Sequence, residues 1–338
     1  NEDCAEIPVG KHHITIKFYE SRKNIYVTEE TVEFEVLDAR LDEQKLIYTN
    51  WFHCDCLADI YKVEVFSERH FEIIRSFVTA AAKNGMNIYR GCTHGCIYCD
   101  SRSGCYQMNH GFEDIEVKQN CVQLLEKALQ SKRKKCMIGT GSMSDPYMHC
   151  EEKLEYMRKC LEVIEHYEFG AAVMTKSERI LRDLPILSRI NQKAKAVVQT
   201  TFTTYDEELC KILEPNVCTT KKRFEMLLAM KEAGIPTVVW ISPILPFIND
   251  TRENLEGLLD YCIKANVKGI ICFGIGMTLR DGNREYFYQK LDENFPGLRN
   301  KYQEKYGHSY EVVSPNAKEL YQRLQEVCQA NNILFGPE

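Results

Sequence analysis

Tyr89-Arg90-Gly91-Cys92-Thr93-His94-Gly95-Cys96-Ile97-Tyr98-Cys99 spaces three cysteines as C-x3-C-x2-C, with two glycines inside the stretch. Residues 87–91 read as a strand, so the cysteines are predicted in the loop that leaves it. An iron–sulfur cubane takes thiolate ligands around a compact centre, and a short flexible loop can wrap one. Three thiolates leave one iron open to a small molecule. The same residues admit two other readings: a zinc site that borrows His94, and chance within a cysteine-rich chain. Cys92 and His94 stand closer in sequence than zinc pairs usually do, so a cluster held by Cys92, Cys96 and Cys99 is expected.

Outward from that loop, strand patterns alternate with amphipathic stretches. Predicted strands cover residues 87–91, 135–140, 171–175, 196–202, 237–243 and 269–273. Stretches such as 151–167 and 221–233 are long enough for crossover helices. Six βα units in series predict an α/β fold, a parallel sheet curved into a partial (β/α)6 barrel with C-terminal helices. In such sheets ligands gather where strands end and loops begin. Gly139-Thr140-Gly141-Ser142-Met143-Ser144-Asp145-Pro146 leaves the second strand, and its glycines would let backbone approach a ligand. Ser144 and Asp145 are candidates for the amino group or ribose of a bound molecule, although a plain turn is the bland reading. Lys176 ends the third strand, where its ammonium offers a point charge and opposes the dipole of the helix that follows. Thr200 and Thr201 end the fourth strand and are weaker candidates. Asn249 and Asp250 after the fifth strand, and Arg280 and Arg284 after the sixth, are candidates for the substrate side. The run Tyr286-Phe287-Tyr288 reads equally well as an aromatic helix face packed on the barrel.

The first 86 residues follow a different pattern. Residues 13–18 and 31–36 alternate apolar with polar, predicting two strands, and Ser67 is placed to cap a helix over 68–83. The organisation expected is a β-rich extension with a linking helix over 1–86 and the barrel over 87–338. The extension carries 10 Lys+Arg against 16 Asp+Glu, leaving 33 of each for the rest of the chain. A neutral barrel lends no support to an extended nucleic-acid surface. The run Lys132-Arg133-Lys134-Lys135 reads as a solvated helix end.

Sixteen cysteines scattered through amphipathic segments do not form a secreted disulfide framework, and most are expected as buried thiols in a reducing cytoplasm. No apolar run approaches a membrane span. The chain opens on Asn1-Glu2-Asp3-Cys4 without a basic or apolar leader, and a trimmed chain or a start inside a longer product is expected.

The cysteine motif, with an aromatic residue before its last cysteine, resembles the radical S-adenosylmethionine (SAM) superfamily. Across 87–338 the chain looks like the spore photoproduct lyase-like branch; the stretches 87–106, 139–147, 214–216, 243–250 and 278–297 carry the similarity. What the resemblance implies is a [4Fe–4S] cluster on Cys92, Cys96 and Cys99 whose open iron receives S-adenosylmethionine. Reductive cleavage would then give a 5′-deoxyadenosyl radical that takes hydrogen from a substrate, with an electron donor such as flavodoxin or ferredoxin. Tyr98, Gly141, Ser144, Asp145, Lys176 and Thr201 are the residues it places at the cofactor. The branch has a hydrogen-donating cysteine where this chain has Ser142, and a tyrosine where it has Asp100. Cys150, expected in the first turn of the next helix and facing away, is the nearest downstream thiol. The substrate stays unassigned, with two alternatives beside it: lesion repair in nucleic acid, and a non-catalytic Fe–S or zinc-binding interaction protein. Residues 46–56 and 65–70 resemble a glycoside hydrolase-like family, so the first 86 residues read as a fused fragment of another barrel without a catalytic role.

Overall fold

The computed structural model describes residues 10–20, 25–36, 62, 64, 69 and 84–336. Contacts divide the chain into two units, Asn1–Asn50 and Trp51–Glu338. In the first, strands Gly10–Glu20 and Ile25–Val36 pair antiparallel, from Gly10 opposite Val36 to Glu20 opposite Ile25, with a bulge at Phe18/Tyr19. This is the predicted β-structure, with the first strand extended at both ends and the second at its start. The Thr15 and Thr31 hydroxyls meet across it at 3.1 Å. Of the helix expected over 68–83, residue 69 alone is among the described residues.

The second unit is built on seven parallel strands. In spatial order they are Gly85–Met86, Met137–Thr140, Gly170–Met174, Ala196–Thr201, Thr237–Trp240, Gly269–Ile271 and Leu334–Phe335. Spatial order equals chain order, so the sheet winds one way without the reversal of a doubly wound fold. The helices between them bury one stripe each, such as Cys121, Leu125 and Leu129 of Cys121–Ser131, spaced by four.

Four details differ from the sequence reading. The first barrel strand is Gly85–Met86, earlier than expected, because Tyr89–Arg90 leaves the sheet and pairs antiparallel with Glu116–Val117. A seventh strand, Leu334–Phe335, joins the far edge. The predicted helix over 151–167 is two helices, Glu151–Leu154 and Tyr156–His166, jointed at Glu155 with φ 51°. The buried Glu151 carboxylate makes the joint by accepting the Met157 N–H at 2.9 Å. Cys150 stands at the N-cap position of the first of these helices, one residue before its first turn.

Two apolar clusters fill the unit. The larger packs helices on the sheet. The smaller joins Cys96, Ile97 and Tyr98 to Leu213, Leu245 and the C-terminal aromatics Phe287, Tyr288 and Tyr302. The cysteine loop is therefore part of a core. Among the described residues no helix is long and apolar enough to cross a membrane.

Candidate cluster and cofactor site

The loop that carries the cysteines is bolted at both ends. Gly91 has φ +82°, and a Cβ there would stand 2.5 Å from the Phe112 carbonyl oxygen, so only glycine makes the turn. Cys92 N–H donates to that same oxygen at 3.0 Å. Further on, Ile97 N–H donates to Leu213 O at 3.0 Å and Asn216 N–H to His94 O at 3.1 Å. The Asn216 amide adds a bond to Thr93 O at 3.0 Å. Cys92 and Cys96 are buried and Cys99 is partly so. Burial pushes the Cys92 thiol up to about 11, and pushes Cys96 higher still. Such thiols are poor free nucleophiles, and metal binding removes the proton that burial holds on them. Among the described residues no three His, Cys, Asp or Glu side chains converge tightly enough to grip a single metal ion. A cubane distributes its thiolates over separate irons and asks for a wider triangle, which one loop with three cysteines can supply.

Beside the cysteines lies a buried charge network. Burial draws the Lys176 ammonium down, but Cys96 and Glu214 outweigh it, and the group ends above its ordinary value. Its Nζ stands 6.0 Å from the Tyr98 ring centroid. The Tyr98 phenol donates to Glu214, which also takes the guanidinium of Arg223; Glu214 and Arg223 have no exposed side-chain surface. Arg223 binds Thr201 O at 2.9 Å and Cys218 O at 2.8 Å. Burial and the Glu214 charge together keep the Tyr98 phenol protonated. One arginine thus fixes the ends of the fourth strand and the loop behind Lys176. Sequence reasoning missed Glu214 and Arg223. The signal was present: Arg223 shares a buried helix stripe with Thr220, Met226, Leu227 and Met230, where a charge needs a partner.

Asp145 gathers donors from three segments. Its Oδ1 accepts the Tyr147 N–H at 2.8 Å and the Thr175 hydroxyl at 2.7 Å, while Oδ2 accepts the Lys176 N–H at 2.7 Å. His94 Nδ1 lies 3.5 Å from Oδ2. Burial lowers the His94 imidazole pKa against the upward pull of Asp145. The Ser144 hydroxyl donates to Tyr89 O at 2.7 Å. Gly141 is required by packing, since a Cβ there would fall 2.0 Å from Met174 O. Thr201 is 7% exposed, and the neighbouring Thr200 hydroxyl is buried without a partner among the described residues. The structure therefore brings Cys92, Cys96, Tyr98, Lys176 and Asp145 together, and gives Ser144, Asp145 and Gly141 structural duties within the chain.

The outlying candidates are placed elsewhere. Asn249 and Asp250 are buried and hold their own turn through Leu245 N–H, Phe247 N–H and Ser314 Oγ. Arg280 pairs with Asp100 at 3.3 Å. Arg284 bonds backbone carbonyls at Leu279 and Ser309. Phe287 and Tyr288 pack on Tyr302, which is the packing reading of that run. A cleft of about 760 Å³ reaches the cysteine loop at Thr93, and Cys150, Arg179, Asn216 and Cys218 are among its other walls.

A parallel, singly wound seven-stranded sheet with a three-cysteine loop a few residues past its first strand is the arrangement of a partial α/β barrel. The radical SAM superfamily matches residues 86–262, more than half of the chain, and the chain belongs to that superfamily. A second, short match, to the glycoside hydrolase 123 catalytic domain, covers residues 51–93 and overlaps the first over residues 86–93, at the start of the cysteine loop. An uncharacterized protein of Mycobacterium tuberculosis (strain ATCC 25618 / H37Rv) is 28% identical over 65% of this chain and 66% of its own. Another, from Methanocaldococcus jannaschii, is 29% identical over 56% of this chain and 71% of its own. This chain thus spans just under two thirds of the length of the mycobacterial relative. Among solved structures, spore photoproduct lyase complexed with dinucleoside spore photoproduct aligns with TM-score 0.54 and 15% identity over 74% of this chain and 75% of that one. A mutant of the same lyase aligns at TM-score 0.55 and 15% identity, over 75% of each chain. At that identity the likeness shows the fold.

Proposed function

We propose that the chain is a radical SAM enzyme, lyase-like in fold, acting on a substrate still to be assigned. Cys92, Cys96 and Cys99 hold a [4Fe–4S] cluster, and S-adenosylmethionine lies against Lys176, with Tyr98, Gly141, Ser144, Asp145 and Thr201 around it. When bound, cluster and cofactor supply one-electron reductive cleavage and the hydrogen-abstracting chemistry that follows. The observation that carries the reading is the partly buried Lys176 ammonium, 6.0 Å from the ring of Tyr98 in the cysteine loop and suited to a cofactor carboxylate. Tyr98, tied to Glu214, fixes the backbone next to Cys99. The second core seals that side of the loop from water.

The thirteen described cysteines are all free thiols, which supports a reducing cytoplasm. A flavodoxin- or ferredoxin-type donor supplies the electron. Anaerobic reconstitution should load about four irons per chain, following cubane stoichiometry. Dithionite and S-adenosylmethionine should then release 5′-deoxyadenosine without any substrate. Replacing Cys92, Cys96 and Cys99 together by alanine should remove both iron and release. A triple variant that keeps its iron and visible absorbance refutes the assignment.

A further inference from the structure

Two side-chain atoms of the cysteine loop, Thr93 Oγ1 and His94 Nε2, are buried without a hydrogen-bond partner among the described residues. His94 is 2% exposed and stands two positions from both Cys92 and Cys96. Its other ring nitrogen, Nδ1, faces Asp145 Oδ2 at 3.5 Å. Asp145 is held in place by Tyr147 N–H, the Thr175 hydroxyl and Lys176 N–H. A carboxylate surrounded by donors offers only lone pairs, so the hydrogen of the neutral ring belongs on Nδ1. Nε2 is then a bare lone pair sealed from water, an arrangement that costs stability unless something accepts it. A carboxylate on one ring nitrogen and a free lone pair on the other is how proteins aim metal-binding histidines.

We propose that His94 Nε2 ligates the iron that the three cysteines leave open, and that the cofactor displaces it. The inference rests on the cluster reading above. The exchange is balanced: the iron gives up one nitrogen lone pair and receives a donor from the cofactor, and no electron or proton moves. A hydrogen bond to a cluster sulfide is the rival role for the ring, but it needs the hydrogen on Nε2, which the carboxylate at Nδ1 opposes. Capping the open iron would shield the cluster from oxidants and stray thiols whenever cofactor is absent.

The test uses the full chain, reconstituted anaerobically and reduced with dithionite, with natural or 15N-labelled histidine. Pulsed electron paramagnetic resonance should detect one strongly coupled nitrogen that shifts with the label. It should vanish on adding S-adenosylmethionine and be missing from His94→Gln at unchanged iron content. A cluster with about four irons and no strongly coupled histidine nitrogen overturns the proposal while leaving the cluster reading intact. So does coupling that survives in His94→Gln. Failure of the unmutated chain to take up any cluster brings down the cluster reading itself, and this inference with it.

Discussion

Glu214 is where single residues decide most. Its carboxylate is fully buried, yet burial is outweighed by Arg223 and Lys176, and its pKa ends below the ordinary range. The sign follows from linkage. A carboxylate depressed in the fold contributes stability above its unfolded pKa, about 4.3, and loses that contribution as pH falls through the folded value. Glu214→Gln should therefore flatten the acid limb of a melting-temperature profile; an unchanged acid limb would show that Glu214 is not a source of it. Removing the partner instead strands a buried charge, so Arg223→Met should cost about 3–5 kcal/mol in denaturant unfolding. The double change Arg223→Met with Glu214→Leu should recover much of that loss, because an apolar pair can fill the space of a buried ion pair. Lys176 carries a different prediction. Lys176→Ala should weaken cofactor binding by about 1–3 kcal/mol, the scale of one charged hydrogen bond, read by calorimetry on reconstituted protein. Unchanged affinity would remove Lys176 from the cofactor site.

At the scale of elements, the joint after Glu151–Leu154 shows why boundaries escape sequence. Glu155 adopts left-handed backbone there, a conformation that costs a non-glycine residue about 1–2 kcal/mol. Glu155→Gly should raise stability by up to about 1 kcal/mol, since the Arg158 contact it gives up is a surface pair of little value. A lower unfolding midpoint in that variant would mean the joint holds by other contacts. Nothing in residues 151–167 announces the joint, because the Glu151 side chain creates it only after folding onto Tyr89 and Arg182. By contrast, the six strands were legible: apolar runs between turn signals report burial directly. The first was misplaced because Tyr89 and Arg90 pair with Glu116 and Val117, distant partners that no local pattern reveals. Leu334–Phe335 is two residues long, too short for any periodicity. The cysteines were legible through spacing, while His94 was weighed only as a zinc ligand. Its orphaned nitrogen is a fact of three-dimensional packing.

For the whole molecule, the barrel it shares with spore photoproduct lyase settles the scaffold and leaves the substrate to residues that differ. Repair along the lyase route needs a thiol close to the product radical, and the resemblance puts Ser142 at the position expected to carry it. A serine O–H bond is too strong to give up its hydrogen to a carbon radical. Ser142 is exposed at the exit of the Met137–Thr140 strand, so a cysteine would fit there without repacking. Tyr147 is no substitute: it is fully buried and its hydroxyl donates to Asp183 at 3.1 Å. Among the described residues, Cys150 and Cys218 line the cleft that reaches the cysteine loop at Thr93. Cys218 is the less available, because its thiol donates to Lys176 O at 3.0 Å. The neutral charge of residues 87–338 also gives a nucleic-acid backbone no general attraction. The expected outcome is that spore photoproduct, in DNA or as a dinucleotide, is not turned over even while 5′-deoxyadenosine is released. Ser142→Cys should then yield traces of repaired product if the pocket accepts the lesion. Efficient repair by the unmutated chain would overturn this reading of the pocket, and loss of that repair in Cys150→Ala would identify the donor as the Cys150 thiol, just before the Glu151–Leu154 helix.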